Sequence, residues 1–519
     1  MTVRDGLDSP AHLPDSADSA DSADYADSAH PAHPTPAPTA TGTTWLHSAR
    51  QIVPLAWPGF IGQVSVLAFA TIDTVLVARA SATDLAALAV GSAAYITIFV
   101  GFMGVLLSLS PIVGHLQGAQ QPVQAGRQVH QALWIAAALA LLGCTLLAFP
   151  YPFLALSRVG PEVAEKVRGY LLALAFSLPA ALLFTIYRAF NTAVGRPKVV
   201  MALQIGALLI KLPLSAALVF GVPAIGLPAL GVMGCGIATA VAMWAQVAAA
   251  WRVMRRDRYY DRFELFGHGL QRPDGPALRQ QLKLGLPLGG GILVEVTGFA
   301  FMAIFIARLG TTPVAGHQIA VNLVSLMFMM PLAVGNAAST LVALHIGAQQ
   351  PALARRLGWH GLVLGCGVAA VMGGLMVFAR EPVLGLYTQD PLIFASALPL
   401  LAWVAVFHIA DAAQTIAAFV LRAYKITVVP MVIYVAALWG VGLAGGYALA
   451  FNVPGNVPAA LQGARGFWFA STTGLVLAGA ALSAFMLWVM RQGRQGRQGR
   501  QGRQDELQDE RQDGRSSVS

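Results

Sequence analysis

Residues 129–157 and 212–251 contain no Asp, Glu, Lys or Arg. Each run exceeds the roughly 18–20 apolar residues that carry a helix across a bilayer. A spanning segment must satisfy its own backbone hydrogen bonds, so runs of this length are helices rather than strands. The rest of the 519 residues agree: 56% are hydrophobic and 11% charged, where a soluble domain carries about 25% charged residues. The chain therefore reads as an all-α integral membrane protein. Twelve spans are expected, starting near residues 51, 85, 129, 168, 199, 231, 282, 313, 358, 395, 427 and 467.

Lys and Arg set the orientation. With the N-terminus in the cytoplasm, the inside loops hold Arg127, Arg188, Arg196, Lys198, Arg355, Arg356, Arg422 and Lys425, together with the basic segment from Arg252 to Lys283. The outside loops hold far fewer. Both termini are then cytoplasmic, which an even number of spans allows. The net charge of +9 is spread over loops and the C-terminal tail, and gives no reason to expect a nucleic-acid partner.

The pentapeptide GAQQP occurs at 118–122 and again 229 residues later, at 347–351. At that same offset Pro58 meets Pro287, Gly62 meets Gly291, Ala78-Arg79 meets Ala307-Arg308, and Arg127 meets Arg356. Arg188-Ala189-Phe190 is echoed by Arg422-Ala423-Tyr424 at a slightly larger offset. Helical segments holding register this far indicate a duplicated six-helix unit. Six is even, so the two bundles share one orientation and are related by a pseudo-twofold axis along the membrane normal. Transporters so built bind substrate near mid-membrane, between the halves.

The expected parts are an acidic, Pro-rich disordered tail (1–50), a six-helix bundle (51–254), a cytoplasmic linker (255–281), a second bundle (282–490) and an Arg/Gln/Gly-rich disordered tail (491–519). The N-terminal repeat is acidic where a signal peptide would be basic. Both tails lack the apolar residues a core needs.

Of the 24 acids, three fall well inside apolar spans: Asp73, Glu295 and Asp411. A charge at bilayer depth costs at least about 2.5–3.5 kcal/mol, so such acids are usually functional or paired. Glu295 lies 12 residues after Lys283, and Asp411 lies 11 before Arg422. Those spacings put the two at similar depth, roughly 18 and 17 Å from the inner edge. Adjacent buried carboxylates can exchange protons, hold Na⁺ between their oxygens, or attract a cationic ligand. Competition for one such site would couple two fluxes. Lys211 is a lone cation inside an apolar run and could partner an acid or reach for the interface. His317, Gln318 and Asn322 on the eighth helix could line a cavity or link helices. His408 shares a helix face with Asp411. The Met-rich stretch at 325–332 suits adaptable contacts, though packing is the commoner use. The three cysteines are single, with no ligand spacing. No Gly-Lys pair exists, hence no P-loop, and no nucleophile elbow or HExxH helix marks an enzyme.

The duplicated segments carry a resemblance. "PGFIGQVSVLAFATIDTVLVARASATDLAALAV" and "PLGGGILVEVTGFAFMAIFIARLGTTPVAGHQIAVNLVSLMFMMPLAVGNAASTLVALHIGAQQP" resemble the two halves of MATE (multidrug and toxic compound extrusion) transporters, most closely the NorM-type branch, and "DAAQTIAAFVLRAYK" resembles that branch's tenth helix. The resemblance runs from Gln51 to Met490. It implies two six-helix bundles around a central cavity, in a monomer of a bacterial cytoplasmic membrane. It also implies export of cationic amphipathic compounds in exchange for H⁺ or Na⁺. Asp73, Glu295 and Asp411 match the family's acids on the first, seventh and tenth helices. Phe407 stands one turn before Asp411, where an oxygen-bearing Tyr is expected in some Na⁺-coupled members. Its loss weakens a Na⁺ site more than a proton site, so H⁺ is favoured. A flippase for lipid-linked precursors from the same broader superfamily is the alternative. Its cavity should carry several basic residues, whereas the mid-membrane charges read from sequence are three acids and one Lys.

Overall fold

The structure, a computed structural model, describes residues 44–151, 153–154, 160–267 and 269–516; side chains are described as far as Gln492, apart from that of Ile225. The acidic N-terminal repeat lies outside the described residues. Twelve helices are long and apolar enough to cross a membrane: α1 (Trp45–Ala80), α2 (Ala82–Gly118), α3 (Pro122–Ala148), α4 (Pro161–Ala193), α5 (Pro197–Phe220), α6 (Gly231–Arg256), α7 (Gly275–Ala307), α8 (Thr311–Gly347), α9 (Pro351–Phe378), α10 (Val404–Ala423), α11 (Val428–Ala450) and α12 (Ala464–Ser516). Among the described residues there is no β-strand, only an isolated bridge between Val222 and Leu227.

Most helices begin a few residues before the apolar runs suggest. Prolines account for much of this: α3, α4, α5 and α9 each carry Pro in the first turn, where the missing N–H costs nothing. The helix then forms before its apolar stretch starts. Two helices are interrupted. Within α2, Leu107 and Ser108 separate Ala82–Leu106 from Leu109–Gly118. A shorter apolar helix, Pro391–Leu401, leads into α10 through Ala402 and Trp403. Helix α12 continues to Ser516, so the Arg-Gln-Gly repeat expected to be disordered is helical that far. Extending a formed helix needs no new nucleus.

The duplication holds its register at both ends of the second helix and at the start of the third. Ala82–Gly118 and Thr311–Gly347 start and end 229 residues apart, and Pro122 and Pro351 open the helices that follow. Within each GAQQP turn the first glutamine is left-handed, Gln120 at φ 56° and Gln349 at φ 60°. The next N–H closes the helix end, Gln121 donating to Leu116 (2.9 Å) and Gln350 to His345 (2.8 Å). The glycines explain the conservation of letters between the copies. A Cβ on Gly118 would lie 1.9 Å from the Leu344 carbonyl oxygen, and one on Gly347 would lie 2.0 Å from that of His115. Each turn thus packs by its glycine on the other half.

Other close approaches between the halves sit towards the same end. Gly104 faces Gly289, Gly285 faces Val105, Gly114 faces Ala343, and Gly361 faces Ile52. The start of α1 joins a core of the second half, with Ile52 and Ala56 among Val334, Ala338, Leu357 and Ile416. The first half has its own core of α2, α3, α4 and α6. The halves therefore meet closely at the GAQQP end.

The central linker is docked rather than free. Residues Arg258–Phe263 form a short 3₁₀ helix whose Tyr260 and Phe263 are fully buried. Tyr260 donates to Asn191 Oδ1 (2.6 Å), and Arg196 stacks on Tyr259 and pairs with Asp257. Further along, Gln131 on α3 donates to the Arg272 carbonyl and accepts from the Asp274 N–H.

Candidate functional site

The three intramembrane acids occupy two separate places. Asp73 on α1 faces Lys211 on α5, and its Oδ2 lies 2.8 Å from Nζ. Lys211 also donates to the Phe69 carbonyl (3.4 Å) and sits 4.5 Å from the centre of the Phe69 ring. Lys211 is 2% exposed and Asp73 5%. The ammonium is thus boxed by a carboxylate, a carbonyl and an aromatic face, so Lys211 partners an acid and does not reach for the interface. The other Asp73 oxygen, Oδ1, is buried without a well-formed hydrogen bond.

Glu295 on α7 and Asp411 on α10 are brought together by a residue the sequence reading missed. The side-chain NH₂ of Gln414 offers its two hydrogens to three acceptors, Asp411 Oδ1 (2.9 Å), Thr415 Oγ1 (3.0 Å) and, at the longest distance, Glu295 Oε1 (3.3 Å). Gln414 is fully buried, and its Oε1 has no partner among the described residues. The signal was present: Gln414 lies three residues after Asp411, on the same helix face. Tyr434 on α11 lies within electrostatic reach of both carboxylates and packs on Gly291, one turn before Glu295.

Directly after Tyr434, residues Val435–Ala444 of α11 are wound as a π-helix. Such segments are rare and concentrate at functional sites. From this segment Trp439 donates to the Val294 carbonyl (2.9 Å), and Leu438, Gly442 and Leu443 share a cavity wall with Glu295. With Phe299, Met302, Ser471 and Leu475 they line a small cavity of about 20 Å³ beside that acid, room for one water.

The remaining candidates fall around this centre. His317 accepts from Trp468 Nε1 (3.2 Å). Trp468 packs on Phe407, and Phe407 packs edge-on against Phe299. Phe407 is thus a wall residue in an aromatic row linking α7, α8, α10 and α12, and offers no oxygen. His408 is fully buried, and neither ring nitrogen has a partner among the described residues; it makes no hydrogen bond to Asp411. Gln318 and Asn322 lie on the exposed side of α8, and Asn322 accepts from Tyr387 (3.0 Å) on the short helix after α9. They do not gather with His317. Of the Met-rich stretch, Met327 is buried in a core of the second half. No group of three or more His, Cys, Asp or Glu suited to a metal occurs among the described residues.

Two further corrections concern arginines counted above as loop charges. Arg188 lies within α4 and Arg422 within α10, and Arg422 is only 3% exposed. Their sequence echo is not a structural match either. Arg188 lies five residues before the end of α4, Arg422 one residue before the end of α10.

Twelve helices able to span a membrane, in two similar halves, make this a polytopic membrane protein with its buried acids inside the spans. The MatE family model matches the chain twice, over residues 58–217 and 287–448, once per half. The chain belongs to the MatE family. It is 41% identical over 437 residues to a probable multidrug resistance protein NorM of Aromatoleum aromaticum, covering 84% of this chain and 93% of that protein. It is 35% identical to the multidrug resistance protein MdtK of Pectobacterium atrosepticum (86% and 97% covered) and 34% to PmpM of Pseudomonas aeruginosa (86% and 92%). Among solved structures it resembles the Vibrio cholerae MATE transporter VcmN in its bent form, with a TM-score of 0.76 at 18% identity over 87% of this chain and 99% of that one. The eukaryotic MATE transporter AtDTX14 aligns with a TM-score of 0.74 at 19% identity over 85% and 96%. These likenesses establish the shared fold.

Proposed function

We propose that the protein is a secondary antiporter that exports cationic amphipathic compounds in exchange for protons, working as a monomer in a bacterial cytoplasmic membrane with both termini inside. The observation that carries this reading is the Glu295–Gln414–Asp411 group. Two carboxylates share one buried amide donor in a span interior, next to a cavity and a π-helical turn. A proton or a cationic ligand can each satisfy the pair, and neither can do so while the other holds it. Alternating access then turns that competition into exchange. The names of the relatives support a multidrug substrate range.

A proton is favoured over Na⁺ as the coupling ion. Na⁺ would draw on the carboxylates, Gln414 Oε1 and Thr415 Oγ1. That set needs Gln414 to turn its oxygen inward, and Phe407 adds nothing to it. Asp73 has a supporting part, because Lys211 already supplies its counter-charge.

Efflux of a fluorescent cation from proteoliposomes tests the reading, with a proton gradient and a Na⁺ gradient imposed separately on wild type and Glu295→Gln. Transport driven by the pH gradient and lost in the variant is expected. Transport driven by Na⁺ alone would overturn the proton assignment. Dye movement under neither gradient would bring the flippase alternative forward.

A further inference from the structure

One face of α6 is apolar and open. Val241, Trp244, Ala248 and Trp251 are exposed and recur at the spacing of a single helix face. The opposite face, with Cys235, Thr239, Ala242, Gln246 and Ala250, is buried in the protein. In a helix able to span a membrane, the open stripe is the one that meets lipid, and a Trp at the end of a span sits at headgroup level. Arg255 lies four residues after Trp251 in the last turn of α6, so it ends that stripe. Two rings hold it there. Its guanidinium carbon lies 4.3 Å from the centre of the Trp251 ring and 5.4 Å from that of Phe266 on the linker. Phe266 is fixed by its neighbour: Leu265 is buried, and its carbonyl lies 3.1 Å from His130 Nε2 on α3. Among the described residues Arg255 makes no hydrogen bond and no ion pair, so its N–H edge is free. Arg252, Arg256 and Arg258 beside it are exposed and without a carboxylate partner. Residues 251–272 hold six arginines and three acids. Asp257 is taken by Arg196, which leaves only Asp261 and Glu264 to offset them.

We propose that Trp251, Arg255 and Phe266 form a docking site for the phosphate of an anionic phospholipid, whose acyl chains follow the open stripe of α6. A guanidinium can stack on rings by its face and still offer its N–H fork to a phosphate by its edge. The surrounding arginines favour a headgroup with net negative charge. A free phosphate would need only the charges. The apolar stripe running from Arg255 into the span assigns the site to a lipid. A lipid bound there would tie the end of α6 to the linker, where the chain passes from the first half to the second. The site is separate from the Glu295–Asp411 pair, and its test does not depend on transport.

The full-length protein in detergent would be titrated with phosphatidylglycerol, and bound lipid read by native mass spectrometry. Saturable binding is expected. Arg255→Gln should weaken it about fivefold, the share of one basic residue at an anionic surface. Phe266→Ala removes no charge and should still weaken it about twofold or more, because the ring positions the guanidinium. Lys198→Gln removes an exposed cation at the same end of the molecule, on α5, and should leave binding unchanged. Should Arg255→Gln fail to fold, Phe266→Ala carries the comparison alone. Equal losses in Arg255→Gln and Lys198→Gln would mean a diffuse field of charge and overturn the site, as would unchanged binding in Phe266→Ala. Phosphatidylcholine bound as tightly would overturn the anionic assignment. Displacement of the lipid by inorganic phosphate at equal concentration would overturn the lipid assignment.

Discussion

Two residues partner the intramembrane acids, and neither is an acid. Gln414 makes the only hydrogen bonds described to Glu295 and Asp411. Hydrogen bonds to charged groups contribute about 1.5–3 kcal/mol. Gln414→Leu should therefore lower coupled efflux about tenfold or more, measured against Gln414→Asn, which keeps an amide on a shorter stem. Efflux equal to wild type in Gln414→Leu would show that the carboxylates need no bridge. Lys211 plays the same part for Asp73. Lys211→Met leaves a buried carboxylate without its partner, at a cost of about 3–5 kcal/mol. Lys211→Met with Asp73→Asn should recover most of the lost thermal midpoint in detergent. A double variant no better than the single one would contradict a purely mutual neutralisation. The three acids were legible from the sequence because a charge in an apolar run stands out. Gln414 was legible only in part: its spacing from Asp411 places it on that acid's helix face, but an uncharged amide in "DAAQT" looks like one more polar helix residue until its neighbour across the bundle is known. Arg188 and Arg422 were misplaced for the opposite reason: near a span's end, a basic residue reads as a loop charge whether or not its side chain turns inward.

At the scale of elements, the GAQQP turns act as contact surfaces as much as chain reversals. Their glutamines accept left-handed φ values that cost about 1–3 kcal/mol in ordinary residues. Their glycines leave space that the opposite half fills. Gly347→Ala would force a Cβ against the His115 backbone, which is costlier to move than a side chain. It should shift the protein towards a state parted at the GAQQP end. Ala343 is 1% exposed and packs on Gly114, so a cysteine there, with the native cysteines replaced, should react faster with a maleimide in the Gly347→Ala background. Equal rates would mean the turn yields locally instead. The repeat itself was visible in the letters, along with the number and order of the helices. The π-helical turn of α11 was invisible. Its residues, VAALWGVGLA, have the composition of any span, and only packing on Val294 and the Glu295 cavity gives the widened turn a purpose.

At the scale of the molecule, the linker and the interface hold the halves together by different means. Tyr260, Phe263 and Leu265 anchor the front of the linker to the first half, with His130 bonded to the Leu265 carbonyl. Beyond the turn, Trp134 and Gln131 on α3 hold the Gln271 and Arg272 carbonyls as α7 approaches. Between these two sets Gly267 and Gly269 are left-handed and Leu270 is half exposed. A protease site inserted after Gly269 should therefore be cut without parting the fragments. Non-covalent contacts flank the cut on both sides, and the backbone-to-backbone packing of α2 on α7 lies elsewhere. If the duplicated bundles are two units that associate by their faces, the cut protein should elute as one particle and retain dye efflux in proteoliposomes. Fragments that separate on gel filtration would mean that the covalent link, rather than the glycine-lined interface, keeps the halves paired. That outcome would also remove the basis for expecting Gly347→Ala to part the halves at the GAQQP end.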